Sequence, residues 1–309
     1  MAKSILSAEV LQNETAAYAW VEARLWPNGP ICPHCGGVDR LSKMQGKSTR
    51  IGTYKCYQCR KQFTVKVGTV FEDSHVPMRI WLQAIFLLCS SKKGISSNQL
   101  SRTLGVTLKT AWFMSHRIRE AMRVVGMTPM GGAGEIVEAD ETFIGRIEGE
   151  KKRRSGWGHK NAVLTLVQRG GGARSFHIED TSAGQVHSLV RDNIARESEL
   201  MTDEAPHYDD IGRRFASHET VKHSADEYVR YDGERVISTN TVEGYYSIFK
   251  RGMKGVYQHC SEKHLHRYLA EFDFRYSNRV RLGVDDMART ERALKGVMGK
   301  RLTYRTPHN

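Results

Sequence analysis

The sequence predicts a mixed α/β protein whose strand-rich domain follows a cysteine module and a pair of short helices. Three observations carry this. Four cysteines are spaced C-x2-C-x20-C-x2-C, at Cys32, Cys35, Cys56 and Cys59. Two amphipathic segments with capping residues flank Gly105. Beyond a glycine-rich stretch at 127–134, short apolar strands give way to amphipathic helices. A chain of 309 residues accommodates about two or three modules. The expected divisions are a helix and cysteine module over 1–72, a helical region over 73–126, a larger domain over 134–283 and a basic tail over 284–309.

Within residues 5–26, Ala17, Tyr18, Val21, Leu25 and Trp26 recur at helical spacing, and Pro27, Gly29 and Pro30 stop the helix. Thr53–Lys55 and the alternating run Gln62–Val67 read as a small hairpin around the second cysteine pair. Two such pairs offer four thiolates to a tetrahedral zinc, a closed and therefore structural site. A redox dithiol is the competing reading, and it requires a single pair beside a thioredoxin-like pattern. Lys55, Arg60 and Lys61 are placed to meet phosphate.

Pro77 suits the first turn of a helix carrying Trp81, Ile85, Phe86 and Leu88. Ser96 and Gln99 form a capping-box pair, Leu100 and Leu104 lie one turn apart, Gly105 makes the break, and Thr107 caps a second helix. This is a helix-turn-helix pattern. Its second helix is expected to bury Ala111, Met114 and Ile118, leaving Lys109, His116, Arg117 and Arg119 as groove or phosphate contacts. Plain core helices of this kind also occur.

The larger domain reads as strands Ile136–Phe143, Ala162–Gln168 and Arg174–Ile178, a helix Gly184–Arg196, and a strand Glu199–Asp203. Later come two helical stripes, Val242, Tyr246, Phe249 and Met253, then Leu265, Tyr268, Leu269, Phe272 and Tyr276, both expected to be core. The basic cluster Lys151–Arg154 reads as an exposed loop.

Net charge is +13, with basic residues spread along the chain, which favours polyanionic partners without identifying them. The longest nearly apolar stretch, around Ile80–Cys89, is too short to span a bilayer. A soluble cytoplasmic protein with reduced Cys89 and Cys260 is expected, Cys89 as core packing.

Asp140 lies in the strand Ile-Val-Glu-Ala-Asp-Glu-Thr-Phe-Ile, where alternation turns Glu138 and Asp140 one way and Glu141 the other. Asp203 ends the strand Leu-Met-Thr-Asp. Either carboxylate alone is as well explained by capping a turn. Glu243 and Lys250 are seven residues apart and so share a helix face, with Asn240 one turn earlier. Carboxylates drawn from two strands and a helix can hold two divalent ions for phosphodiester chemistry, and hard Mg²⁺ or Mn²⁺ suits oxygen ligands. An exposed, salt-bridged helix is the alternative.

The cysteine pattern together with Val-Glu-Ala-Asp-Glu-Thr, Leu-Met-Thr-Asp-Glu-Ala, Asn-Thr-Val-Glu-Gly-Tyr-Tyr-Ser-Ile-Phe-Lys-Arg-Gly and His-Leu-His-Arg-Tyr-Leu-Ala-Glu-Phe-Asp-Phe-Arg-Tyr resembles the transposases of one group of bacterial insertion sequences. That group has an N-terminal zinc ribbon and a DDE catalytic domain. The resemblance spans about residues 15–280. It implies an RNase H-like fold with a mixed sheet and flanking helices, in which Asp140, Asp203 and Glu243 bind Mg²⁺ or Mn²⁺ and Lys250 contacts DNA beside the cut, with Arg251 next to it. Some members use an asparagine as the third ligand, and this chain carries both Asn240 and Glu243. The implied reaction is hydrolysis at each end of a mobile element, followed by attack of the freed 3′-hydroxyl on target DNA. Tyr245 and Tyr246 are then core or stacking residues. The implied partners are double-stranded DNA, as terminal inverted repeats and target, and a second copy of the chain or more, in association with the nucleoid.

Two other readings remain open at this point. A structure-selective nuclease of the same fold would hydrolyse DNA without joining it. A zinc-ribbon and helix-turn-helix regulator would leave the acidic residues without a role.

Overall fold

In the computed structural model, residues 4–151 and 156–303 are described, and they form two compact units: one from the N-terminus to Arg123 together with the segment from Asp285 onward, the other Val124–Val284. Most of the basic cluster expected as an exposed loop, residues 152–155, lies outside the described residues.

The first unit begins with α1 (Glu14–Leu25), whose Asn13 side chain accepts the Ala16 amide at 3.0 Å and so satisfies an amide of the first turn. A three-stranded antiparallel sheet follows: β1 (Leu41–Lys43), β2 (Tyr54–Cys56) and β3 (Gln62–Phe63). The expected run to Val67 stops at Phe63 because Thr64 accepts the Lys66 amide at 3.2 Å and turns the chain. Trp26, Tyr54 and Phe63 pack together beside the buried Cys32 and Cys56. Such a small sheet has little core of its own.

Then come α2 (Met78–Ser90), α3 (Ser97–Leu104) and α4 (Leu108–Met122). Ser96 and Thr107 cap α3 and α4, and Gly105 ends α3 at φ +65°, a conformation that a Cβ would strain.

The exposure expected along α4 is corrected. His116, Arg117 and Arg119 are buried, with 0%, 6% and 1% of their surface accessible, so they are not groove contacts. Every residue from Ser115 to Met122 is buried, because other helices cover both sides of α4. Arg117 donates to the carbonyls of Val70 and Glu72 at 2.8 Å and of Leu302 at 3.1 Å, while Arg119 donates to Ser115 Oγ at 3.1 Å. Carbonyl acceptors make the Arg117 cation compatible with burial. Lys109, in the first turn, is exposed as expected.

The second unit is built on a mixed five-stranded sheet: β4 (Ile136–Ile144), β5 (Asn161–Gln168), β6 (Ala173–Ile178), β7 (Glu199–Asp203) and β8 (Ser217–Val221), in the order β6-β5-β4-β7-β8. β4–β5 and β5–β6 run antiparallel, while β4–β7 and β7–β8 run parallel. This is the RNase H-like arrangement, with a hairpin at the front and parallel crossovers behind. α5 (Ala183–Asn193) makes the β6-to-β7 crossover and buries Val186 and Val190 against Val137, Ala139, Leu164 and Leu166. After the hairpin β9 (Val229–Asp232) and β10 (Arg235–Ser238) come α6 (Asn240–Gly252) and α7 (Leu265–Ser277). Their stripes, Val242, Tyr246 and Phe249 with Leu269 and Phe272, pack on Val163 and Val167 across the opposite face. The sheet is thus covered on both faces, which is why its inner strand β5 is buried almost throughout.

The expected basic tail is also corrected. Asp286–Lys295 forms α8, capped by Asp285, and it packs on α1, α2 and α4 of the first unit. Ala293, Leu294 and Val297 are buried, and Arg289 donates to the Cys89 carbonyl at 2.7 Å.

Candidate active site

Asp140 sits in the middle of the sheet, paired with Thr165 of β5, and Asp203 ends the neighbouring parallel strand β7. The parallel register, with Glu138 opposite Met201, brings the C-terminal end of β7 level with Asp140 in the middle of β4, and strand ends of this kind are where ligand sites form in open α/β sheets. Asp203 Oδ1 accepts the Ala205 amide at 3.0 Å and Asp140 Oδ1 accepts the Glu141 amide at 2.7 Å. Tyr246 of α6 donates to the Asp140 carbonyl at 2.5 Å, tying helix to strand at this residue. Its ring and that of Tyr245 are buried, and Tyr245 donates to Asp273 at 2.6 Å, so both tyrosines are core.

The third acid depends on how α6 is anchored. Glu138, fully buried, accepts the Thr241 and Val242 amides at 2.7 and 2.9 Å and the Thr241 hydroxyl at 2.8 Å. A carboxylate on the first-turn amides suits the positive end of the helix. Arg169 neutralises it at 2.7 Å and also donates to the Val236 and Ser238 carbonyls at 2.6 and 2.9 Å, fixing the strand that leads into α6. From that anchored start, Glu243 reaches Thr239 at 3.0 Å and His223 at 3.4 Å, with its side chain 42% exposed. Asn240 is exposed in the first turn and Arg251 is exposed beyond Lys250, Arg251 donating to the Ser247 carbonyl at 2.9 Å.

Electrostatics groups these residues. Burial, then the charges of Glu141 and Asp203, push the Asp140 carboxyl up to about 8, with Glu243 adding to the effect. Burial raises Asp203 as well, with Glu141 adding to it. Burial lowers the Lys250 ammonium, opposed by the charges of Asp140 and Glu243. So Asp140, Asp203, Glu243 and Lys250 share one acidic neighbourhood. Among the described residues, however, only Cys32, Cys35, Cys56 and Cys59 form a group of three or more whose ligand atoms all lie within 4.8 Å of one another. The three acids lie near one another without being that tightly gathered.

Several neighbours escaped sequence reasoning. Glu141 accepts from Tyr208 at 2.5 Å and meets His207 Nε2 at 3.1 Å, and this hydrogen bond raises the His207 imidazole. His207, four residues after Asp203, had no partner visible along the chain. Glu138 was assigned only a direction, since its role depends on a helix 103 residues away.

The ribbon thiols fit a tetrahedral metal. Cys32–Cys59 and Cys35–Cys56 sulfurs are each 3.7 Å apart. Four Zn–S bonds of about 2.3 Å in a tetrahedron place sulfurs about 3.8 Å apart.

Residues 132–277 match the ISXO2-like transposase domain, and residues 12–62 match the transposase zinc-ribbon domain. The chain carries an ISXO2-like transposase domain behind a transposase zinc ribbon. An uncharacterized protein in the transposable element ISH50 of Halobacterium salinarum is 27% identical over 268 residues, covering 81% of this chain and 86% of that protein. Two solved structures, a Mos1 strand transfer complex and a pre-cleavage Mos1 transpososome, are similar at 13% and 14% identity. They align with 69% of this chain and with 74% and 73% of theirs, at TM-scores of 0.28 and 0.26. No helix among the described residues is long and apolar enough to cross a membrane.

Proposed function

We propose that this chain cuts DNA at the ends of a mobile element and joins the freed 3′-hydroxyl to target DNA, with Asp140, Asp203 and Glu243 as ligands for Mg²⁺ or Mn²⁺. The observation that carries the reading is the convergence of these acids from β4, β7 and α6 beside Lys250, in a chain that carries an ISXO2-like transposase domain. The donor set fits such ions: the oxygens are hard, and a carboxyl that burial and neighbouring carboxylates together push up to about 8 gains from a neighbouring dication. When bound, the ions supply an activated oxygen nucleophile and neutralise charge at the departing oxygen.

The residues of the chain do the rest. Lys250, on the Glu243 face of α6, places an ammonium against the phosphate beside the cut, and Arg251 extends that contact along the strand. Glu138 and Arg169 keep α6 in register with β4. In the first step the water oxygen bonds to phosphorus and the element's 3′-oxygen leaves as a hydroxyl. In the second, that hydroxyl oxygen bonds to a target phosphorus and a target 3′-oxygen departs. Tyr245 and Tyr246, committed to core hydrogen bonds, form no covalent link to DNA.

Zinc held by Cys32, Cys35, Cys56 and Cys59 pins the ribbon. Residues 1–126 hold duplex DNA, Lys109 being an exposed cation there, and residues 134–283 carry the chemistry. Two element ends call for a dimer or a larger assembly on DNA.

The test uses DNA from the gene's own flanks with Mg²⁺ or Mn²⁺, comparing wild type with Asp203→Ala. Cut and joined products that the variant fails to make are expected. Cutting without joining favours a nuclease, and binding without chemistry in either metal favours a regulator.

A further inference from the structure

Beside the acidic neighbourhood, within the same unit, lies an open cavity of about 360 Å³ lined by Phe143, Trp157, Lys160, Lys250, Lys254 and Gln258, among others. Its size falls in the range of small-ligand sites. The Trp157 ring, 56% exposed, stacks on Phe143 at 5.8 Å and 10°. Lys160 Nζ stands 4.1 Å from the Trp157 ring centre, and a turn in which the Lys160 amide donates to the Trp157 carbonyl at 2.8 Å holds the two together. Lys250 is close enough to feel Lys160 and Lys254 on one side and Asp140 and Glu243 on the other, so it stands between cavity and acids.

The backbone at this wall is unusual. α6 runs directly into a π-helical turn, Met253–Tyr257, a form found mostly at functional sites. Gln258, which closes that turn by donating its amide to the Met253 carbonyl at 2.8 Å, has φ 57° and ψ −54°. Such strain in a non-glycine residue clusters at binding sites.

A Trp157 ring more than half exposed and three ammonium groups make a site for a flat ring joined to phosphate. We propose that this cavity holds one unpaired nucleotide at the DNA end, its base stacked on Trp157 and its phosphates met by Lys160, Lys250 and Lys254. This rests on the DNA-cutting reading above. Within a duplex each base is paired and stacked, and only the end pair shows a ring face, whereas an unpaired nucleotide can turn its whole ring into the cavity, so the cavity favours unpaired over paired ends. Because Lys250 is shared, a nucleotide seated here leaves its neighbouring phosphodiester beside Asp140.

The experiment compares, in the full chain, affinity for a duplex with a three-nucleotide single-stranded overhang and for the blunt duplex of the same sequence. The overhang carries 2-aminopurine, whose fluorescence is quenched on stacking. The ratio of the two affinities is expected to favour the overhang, to fall roughly tenfold in Trp157→Ala and to recover in Trp157→Phe, because base–aromatic stacking is worth about 1–3 kcal/mol. Lys160→Ala lowers the same ratio with quenching retained. An equal ratio in wild type and Trp157→Ala, with quenching unchanged, overturns the nucleotide site while leaving DNA cutting intact. A chain that neither binds nor cuts any of these DNAs overturns both.

Discussion

The ribbon and the acidic site both gather metal-competent side chains, and they do so in opposite ways. Four sulfurs of the ribbon lie within 4.8 Å of one another, whereas the carboxylates of Asp140, Asp203 and Glu243 feel one another without closing to that distance. The ribbon has two tight turns, so its ligands arrive as neighbouring pairs, and a core of a few aromatic residues suffices to bring the pairs together. The acids arrive on two strands and a helix, and their spacing is set by the whole sheet and by the anchoring of α6. A site whose parts belong to large, well-packed elements can hold like charges near one another at the cost of a raised Asp140.

The largest expected consequence concerns the ribbon, since structural zinc contributes roughly 10–16 kcal/mol to small metal modules. Chelation, or Cys56→Ser, is expected to release zinc and unfold residues 30–63. Amide hydrogen exchange checks this by loss of protection there, with β4–β7 still protected. Equal loss of protection in both regions would erase the contrast.

Next in size is Glu138→Ala, which strands Arg169 and the first-turn amides of α6 while leaving all three acids in place. Breaking one partner of a buried pair costs about 3–5 kcal/mol. Urea unfolding is expected to register a loss of that order, and DNA cutting is expected to fall with it. Unchanged stability would show that α6 is held by its apolar stripe alone.

The pH dependence of the metal-free chain sharpens the same point. Asp140 is raised from 3.8 to about 8, so between those values the native state keeps a proton that the unfolded chain has released. The stability this confers is complete below pH 3.8 and is lost as pH rises toward about 8. Facing Asp140 are Glu141 from its own strand, Asp203 from β7, and Glu243 and Lys250 from α6. Asp140→Asn is expected to flatten that slope in melting curves taken from pH 5 to 8, and Mg²⁺ to raise the wild-type midpoint most at the upper end.

The smallest effect belongs to Tyr208→Phe, which removes a hydrogen bond to Glu141. A loss of about 1.5–3 kcal/mol in chemical denaturation is expected, as for a hydrogen bond to a charged group. A larger loss would mean that Tyr208 and Glu141 also support the site.

Local signals made much of this molecule legible. Cysteine spacing marked the ribbon, Ser96, Gly105 and Thr107 marked the ends of α3 and α4, and alternation along Ile136–Phe143 placed Glu138 and Asp140 on one face. What escaped depends on contacts made at long range. His116, Arg117 and Arg119 read as an outward cationic face, because nothing along α4 reveals that the carbonyls of Val70, Glu72 and Leu302 await Arg117. The return of α8 to the first unit escaped for the same reason, as did His207 and Trp157, whose partners lie in other elements.

The central claim is that Asp140, Asp203 and Glu243 act as one site. A double-mutant cycle on the rate of Mg²⁺-dependent DNA cutting tests it, using Asp203→Ala, Glu243→Ala and the two together, with Asn240→Ala alongside. Residues that act as a unit are grossly non-additive. The prediction is that either single change abolishes about as much activity as both, with Asn240→Ala retaining most of the rate. Losses that multiply, or an inactive Asn240→Ala beside an active Glu243→Ala, would contradict the assignment.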